Sequence, residues 1–186
     1  MSQDNNTVLP KGVDYAEFKA AVKEFRALVG DENVLVENEQ LVSYTKIMMP
    51  RDVAENTPSA AVTATSVEQV QGVVKICNKY KIPVWTISTG NNFGYGSAAP
   101  VARGQVVLDL KKMNKIIKID EKMCTALVEP GVTFQQLYDY LEDNNIPLMC
   151  SMPGSSAIAG PMGSIMDRGV GYTPYGEHFL MQCGME

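Results

Sequence analysis

The sequence predicts an α+β fold built as two lobes, and three observations support this prediction. A strand–helix–strand pattern at 60–87 is typical of a parallel-sheet unit with a right-handed crossover. Two more strand-like segments and an amphipathic helix follow at 115–144. The 186 residues are 45% hydrophobic and 20% charged, which suits one ordinary soluble domain or two small lobes.

Residues 1–57 are predicted to form an arm followed by a helical segment. The polar start suits a flexible arm, and a helix is predicted from Asp14 to Gly30, which suits the left-handed position after a helix end. A short strand at 33–36 and an irregular connection at 44–58 complete this part. The apolar face of the helix consists of Phe18, Val22, Phe25 and Val29.

The predicted second domain occupies 58–186, and its first lobe covers about 58–119. A buried strand is predicted at 60–64, and Ser66 with Gln69 has the spacing of a capping box that starts a helix. The predicted inward face of this helix is Val67, Val70, Val73, Val74 and Cys77. Further strands are predicted at 84–87, 105–110 and 115–119.

The second lobe is predicted at about 120–186. A strand at 123–128 is stopped by the turn 129–131, and Thr133 suits the cap of a helix that runs to Asn144. The stretch after this helix is rich in Gly, Ser, Pro and Met and carries very little charge. The predicted inward face of the helix is Phe134, Leu137, Tyr138 and Leu141.

Composition argues against several classes of function. The net charge of −5 disfavours nucleic acid as the main partner, because phosphate contacts need clustered Lys and Arg. One histidine and four widely spaced cysteines disfavour a metal site, and the cysteines are expected to be buried free thiols. No apolar run is long enough for a membrane span and no signal peptide is visible, which predicts a soluble, cytoplasmic chain.

The loop 88–97 is the first candidate binding segment. Gly90, Gly94 and Gly96 allow tight turns and a close approach to a ligand. Hydroxyl and amide side chains stand between them and no acidic residue occurs in the loop, so it suits a phosphate group. Its spacing matches neither a Rossmann fingerprint nor a Walker A loop, and a plain surface turn is the alternative.

The stretch 153–171 is the second candidate segment. Its small residues cannot fill a core, which indicates that something else packs against its backbone. Ile158 and Met162 are too apolar for a freely solvated linker, which is the alternative. A flat, extended cofactor explains both features. Arg168 is expected either to make local contacts beside Asp167 or to approach a cofactor phosphate.

Tyr95 stands inside the first candidate loop. A tyrosine there either covers an edge of the core or points its phenol into a pocket, where it donates a hydrogen bond to an anionic substrate oxygen. Both interpretations stay open on the residues alone.

Three stretches of the chain carry a resemblance to a known family. They are PSAAVTATSVEQVQGVVKICNKYKIPVWTISTGNNFGYGSAAP at 58–100, VEPGVTF at 128–134 and MDRGVGYTPYGEHFLMQCGME at 166–186. They are similar to the FAD-binding domain of the vanillyl-alcohol oxidase and p-cresol methylhydroxylase family, and the similarity runs from about Leu9 to the last residue. The resemblance implies a two-lobed α+β FAD-binding domain with a parallel-sheet lobe followed by a more antiparallel one.

The resemblance also implies which residues bind FAD. The loop 88–97 corresponds to the pyrophosphate-binding loop, the turn 129–131 lies near the FAD, and 154–171 runs beside the flavin and its ribityl chain. Tyr95 is implied to be catalytic, with its phenol against the phenolic oxygen of the substrate. The implied cofactor-binding residues are Ser88, Thr89, Gly90, Asn91, Asn92, Gly94, Gly96, Pro130, Gly131, Ser155, Ile158, Gly160, Gly163, Ser164, Arg168, Gly169 and Gly171.

The implied activity is the oxidation of 4-alkylphenols such as 4-cresol. A pocket that stabilises the phenolate makes the benzylic C–H a better hydride donor to the flavin, and water then adds to the quinone methide. In the p-cresol branch electrons pass to a c-type cytochrome subunit, and a flavoprotein homodimer and a periplasmic location are further expectations. The lack of a carboxylate at 149–156 favours this branch over the alcohol-oxidase branch.

Two departures from the family keep alternatives open. Family members carry Arg where this chain has Asn91, and the chain stops at Glu186, where the family continues into the substrate-binding cap. We therefore weigh three hypotheses: part of a working oxidoreductase, a catalytically inactive flavin-binding module, or a truncated remnant that binds nothing. Flavin released from the purified protein excludes the third, and turnover of 4-cresol excludes the second.

Overall fold

The computed structural model describes residues 7–47, 50, 52–92, 98–154, 156–174 and 176–184. The chain divides into two compact units. The first takes in the described residues of 1–87 and 93–110, and the second takes in 88–92 and the described residues of 111–186. The predicted lobe boundaries at 58–119 and 120–186 stay a prediction.

The first unit contains three helices and four strands within the described residues. Short 3₁₀ turns occur at Asp31–Asn33, Val42–Tyr44 and Val53–Asn56. In chain order the helices and strands are α1 (Tyr15–Val29), β1 (Val34–Leu35), α2 (Asn38–Leu41), β2 (Ala60–Thr63), α3 (Val67–Tyr80), β3 (Val84–Ile87) and β4 (Val106–Asp109). The two predicted helices and four predicted strands of this part are all present, with ends that differ by at most one residue, whereas the short helix α2 was not predicted.

The sheet of the first unit has the strand order β1-β2-β4-β3. β4 pairs parallel with both β2 and β3, in register Ala60↔Val106 and Val84↔Val106, and β1 pairs antiparallel with β2. β2 and β3 therefore run in the predicted common direction, but β4 lies between them. The two central strands are buried along their whole length, as expected for strands covered on both faces.

Helix α1 confirms its predicted start, face and end. The Asp14 carboxylate accepts from the Glu17 N–H while the Glu17 side chain accepts from the Asp14 N–H, which forms a capping box. Gly30 ends the helix at φ 90°. The buried residues of the helix are Phe18, Ala21, Val22, Phe25 and Val29.

Helix α3 differs from the prediction in its cap and its face. The Ser66 hydroxyl accepts from the Gln69 N–H, but the Gln69 side chain accepts from the N–H and hydroxyl of Thr65, so the predicted reciprocal box is incomplete. Val67 and Val74 are 57% and 42% exposed, against the predicted face. They lie roughly 100° around the helix from the buried Val73, beyond the stripe that packs inward.

The second unit contains a hairpin and two helices within the described residues. β5 (Ile116–Asp120) and β6 (Thr125–Val128) pair antiparallel, and α4 (Phe134–Asp143) and α5 (Pro161–Met166) follow. A 3₁₀ turn occurs at His178–Met181.

Helix α4 begins at a complete capping box formed by Thr133 and Gln136. It buries Phe134, Leu137 and Leu141, as predicted. Tyr138 is 52% exposed, so its predicted inward position is wrong. This tyrosine lies about 100° beyond Leu137, at the edge of the helix face.

Two further expectations are tested by burial and helix length. All four cysteines are free, but only Cys77 is buried, so the expectation of four buried thiols is wrong for the exposed Cys124 and Cys183 and for the half-buried Cys150. None of the helices within the described ranges combines the length and hydropathy that a bilayer span requires.

Candidate functional site

The loop 88–92 meets the predicted turn 129–131 in the second unit. The Ser88 hydroxyl donates to the Pro130 carbonyl. Gly131 is held in turn, because its N–H donates to the Met113 carbonyl at 2.7 Å. The start of the first candidate segment is therefore fixed against a turn that sequence analysis places beside the same cofactor.

The loop 88–92 also meets the second candidate segment. A Cβ on Gly160 would lie 3.1 Å from the Val132 carbonyl oxygen and nearer still to the Ser88 hydroxyl. A Cβ on Gly163 would lie 3.4 Å from the Ser88 Cβ, in ordinary contact. Gly160 is thus required because the backbone passes too close to Ser88 for any side chain.

Two asparagines bridge the loop to the second segment. The Asn91 Nδ2 donates to the carbonyls of Thr89 and Ile158, each at 3.2 Å. The Asn92 Nδ2 donates to the Asp167 carboxylate. Gly90, between the hydroxyl and amide side chains, adopts a φ of 71° that favours glycine.

The start of helix α4 anchors the small-residue segment. The Phe134 N–H donates to the Ala159 carbonyl at 3.0 Å, and the Gln135 N–H donates to the Ala157 carbonyl at 2.8 Å. First-turn amides of a helix have no partner inside the helix, so these carbonyls satisfy them. The segment is consequently held in place by the chain itself and is not a freely solvated linker.

His178 is a functional candidate that sequence analysis missed. It is 3% exposed, its Nδ1 lies 2.6 Å from the Ser164 hydroxyl, and its Nε2 lies 3.3 Å from the Ser151 hydroxyl. Burial lowers the pKa of His178, an effect that a hydrogen bond with the Ser151 backbone partly opposes. His178 is the single histidine of the sequence, and that could have marked it as a candidate. The sequence analysis used it only as an argument against metal sites.

The chain's own packing explains several small residues of 153–171. A Cβ on Gly169 would lie 2.9 Å from the Ser164 carbonyl oxygen, and one on Gly171 would lie 2.6 Å from the His178 Nε2. Sequence analysis expected something else to pack against this backbone. At these two glycines the neighbour is the same polypeptide.

Arg168 and Asp167 occupy the end of helix α5. Asp167 is the residue that ends the helix, with its N–H donating to the Gly163 carbonyl at 3.1 Å. Arg168 has a φ of 54°, and its guanidinium carbon lies 5.1 Å from the centre of the Phe179 ring. The helix-end contact of Asp167 is of the predicted kind, whereas Arg168 contacts the Phe179 ring and the Asp167 carboxylate accepts from the distant Asn92. An approach of Arg168 to phosphate stays a prediction.

The structure thus brings together much of the predicted site. Within the described residues, no group of three or more His, Cys, Asp or Glu side chains could hold a metal ion.

Four predicted site residues lie outside the described residues, and for them the sequence prediction stands alone. They are Gly94, Tyr95, Gly96 and Ser155.

The donor set suits an anionic, extended ligand. The described part of the loop presents backbone amides, hydroxyls and side-chain amides, and none of its side chains is acidic. Such neutral donors on a glycine-containing turn are typical of sites for phosphate groups. A diphosphate therefore fits this chemistry.

Comparison with known proteins also indicates a ligand that contains a diphosphate, namely FAD. A family model described as an FAD binding domain matches residues 58–186. The chain is 74% identical over all 186 residues to the 4-cresol dehydrogenase [hydroxylating] flavoprotein subunit of Pseudomonas putida, and covers 36% of that protein.

Two solved structures show the same fold. The structure of p-cresol methylhydroxylase with substrate bound matches with a TM-score of 0.93 at 75% identity, covering 96% of this chain and 35% of the other. A 4-ethylphenol oxidase from Gulosibacter chungangensis, in an isoeugenol complex, matches with a TM-score of 0.91 at 39% identity, covering 96% of this chain and 34% of the other. The chain spans about a third of the length of these relatives.

The matches to known proteins and the geometry of the candidate site indicate the same fold and the same cofactor. The predicted α+β FAD-binding fold is confirmed by these matches, and FAD is the cofactor of the matched domain. The neutral donors at 88–92 and the close approach at Gly160 fit a dinucleotide held by backbone. The chain therefore belongs to the FAD-binding-domain family of flavoenzymes, within its vanillyl-alcohol oxidase and p-cresol methylhydroxylase type.

Proposed function

We propose that this chain is the FAD-binding portion of an oxidoreductase that takes a hydride from the benzylic carbon of 4-alkylphenols such as 4-cresol. The observation that carries the proposal is the 74% identity, over the whole chain, with a 4-cresol dehydrogenase flavoprotein subunit. FAD, when bound, supplies the hydride acceptor. Water adds to the oxidised substrate, and a c-type cytochrome takes the electrons.

The chain's own residues bind and orient the cofactor. The backbone amides of 88–92 are assigned to the pyrophosphate, because they are donors without negative charge, while the side chains of Ser88 and Asn91 hold the loop in place. Pro130 and Gly160 hold the loop through Ser88, and Ile158 holds it through Asn91. These contacts preorganise the loop, which reduces the ordering cost of binding.

Tyr95 is assigned to the substrate. Its phenol donates a hydrogen bond to the phenolic oxygen, which carries more negative charge when the substrate is bound as a phenolate. Hydrogen bonds to charged groups contribute about 1.5–3 kcal/mol, so this contact favours hydride loss from the para carbon. The assignment rests on the family resemblance of the loop that contains this tyrosine.

The test is a chimera of these 186 residues with the remaining part of the Pseudomonas putida subunit. We expect it to reduce an artificial electron acceptor when 4-cresol is added. Tyr95→Phe should lower kcat/KM by about 10- to 100-fold while FAD retention stays unchanged. A chimera that retains FAD but never oxidises 4-cresol would favour the inactive flavin-binding module, the alternative function.

The proposed partners are tested separately. Cytochrome transfer predicts that the chimera reduces a c-type cytochrome in an anaerobic mixture with 4-cresol. Sedimentation of the same sample tests the proposed homodimer. If the cytochrome is not reduced, the cytochrome partner is ruled out, and if the sample sediments as a monomer, the homodimer is ruled out. Neither result changes the assignment of FAD as the cofactor.

A further inference from the structure

A buried histidine connects two parts of the second unit. The imidazole of His178 lies between Ser164, on helix α5, and Ser151, in the segment before the isolated bridge Pro153↔Gly171. The backbone N–H of His178 donates to the Gly169 carbonyl at 3.0 Å. The Thr173 hydroxyl extends the network by donating to the Ser151 hydroxyl at 2.8 Å.

Helix α5 is held from two sides. Gly160 and Gly163 lie against Ser88, at the start of the candidate pyrophosphate loop. Ser164, in the next turn, binds His178. His178 is therefore bonded to the same short helix that lies against the start of the loop.

The Ser164 hydroxyl lies 2.6 Å from Nδ1 of His178. We assign Ser164 as the donor to Nδ1, which places the ring proton on Nε2, towards Ser151. Burial lowers the pKa of His178, which favours the neutral ring that this arrangement needs.

We infer that His178 is a positioning residue for FAD, acting through its hydrogen bond with Ser164 to hold helix α5 against the loop 88–92. The inference rests on the proposed FAD-binding function. It assigns the histidine no contact with the cofactor. It predicts that the Nδ1 side of the ring matters for FAD affinity and that the Nε2 side matters much less.

A matched pair of substitutions separates the two ring nitrogens. The amide of Asn reaches the Nδ1 position and that of Gln reaches the Nε2 position. His178→Asn should bind FAD within about threefold of the natural chain, because an acceptor for Ser164 remains. His178→Gln should bind about tenfold more weakly, the effect of one lost hydrogen bond near the upper end of its range.

Binding is measured by flavin fluorescence during titration of the 186-residue chain with FAD. Ser164→Ala should weaken binding by about three- to tenfold. Adding Ser164→Ala to His178→Gln should cause no further loss, since both changes remove one interaction. Natural affinity for Ser164→Ala overturns the inference even if the histidine variants do not fold. Because Ser164 is also one of the implied cofactor-binding residues, the double variant is what separates positioning through His178 from a direct contact with FAD.

A stability control distinguishes positioning from general destabilisation. Val73→Ala, in the buried face of α3, should lower the melting temperature of the apoprotein and leave FAD affinity unchanged. Equal affinities for His178→Asn and His178→Gln, or natural affinity for Ser164→Ala, would overturn the inference. If neither the chain nor the chimera binds FAD, the proposed function fails and the inference fails with it, whereas FAD binding that none of these variants changes overturns the inference alone.

Discussion

At the scale of single residues, two side chains without a formal charge, Asn91 and His178, are important for the candidate site. Asn91 stands where the resemblance places arginine, and its amide bridges Thr89 and Ile158 instead of adding a positive charge. Burial lowers the pKa of His178, which favours its neutral form. Both residues therefore act through hydrogen-bond geometry, and both give predictions that separate geometry from charge.

Asn91→Arg should tighten FAD binding by about tenfold when these residues are joined to the rest of the flavoprotein. A charge-assisted bond to phosphate contributes about 1.5–3 kcal/mol, and the loss of the amide bridge offsets part of that gain. Asn91→Leu, which removes the bridge without adding charge, should bind FAD more weakly than the natural protein. Flavin retention on titration is the measurement, and equal retention by the arginine variant would contradict a role in phosphate binding.

Folding stability should fall between pH 7.5 and 5.5 because of His178. Its folded pKa lies below the ordinary value of 6.5, so the unfolded chain binds this proton more readily. The contribution is complete above about pH 6.5 and is lost as the pH falls through 6.5 and then through the lowered folded pKa.

Urea unfolding at the two pH values checks this expectation. His178→Asn has no such proton and should show a smaller change over the same interval. The lowered pKa values of Glu24 and Asp120 act only below their ordinary values of 4.5 and 3.8, outside this window. An equal change in both proteins would show that the histidine does not control stability here.

At the scale of elements, the important feature is where helices begin and how closely they approach. Helix α4 begins at a capping box, and its first amides hold the carbonyls of Ala157 and Ala159. Helix α5 begins at Gly160, where Ser88 leaves no room for a Cβ. The candidate site is therefore built from backbone at the starts of two helices.

Gly160→Ala should weaken FAD binding by about tenfold or more. The new methyl group meets the Val132 carbonyl oxygen, which is backbone and cannot rotate away, so the segment must move from the loop. Gly184→Ala is the matched control, because a Cβ there meets nothing within 4 Å. Fluorescence titration of both variants gives the comparison, and natural affinity for Gly160→Ala would remove this close approach from the site.

At the scale of the whole molecule, each of the two units has its own sheet or hairpin. Local rules predict most of these elements, since caps and apolar periodicity depend on residues a few positions apart. Sequence rules did not place β4 between β2 and β3, because strand order depends on pairing between distant segments. The exposure of Val67, Val74 and Tyr138 likewise depends on how far each neighbouring surface extends.

We expect the 186 residues by themselves to bind FAD weakly and not to oxidise 4-cresol. They match about a third of the length of the flavoenzymes they resemble, and the family resemblance implies that the substrate-binding cap lies outside that third. Dye reduction that depends on 4-cresol, measured with the isolated chain and FAD, would contradict this expectation. The chimera provides the positive control.

The sequence by itself determined helices α1, α3 and α4, the six strands, the two candidate segments and, through resemblance, the cofactor, but it did not predict the short helices α2 and α5. Only the tertiary structure decided that Ser88 meets Pro130 and Gly160, that Asn91 bridges to Ile158, and that His178 lies between two serines. The physical reason is range: capping and periodicity act within one or two turns, whereas these contacts join residues 14 to 72 positions apart and form only when the segments pack.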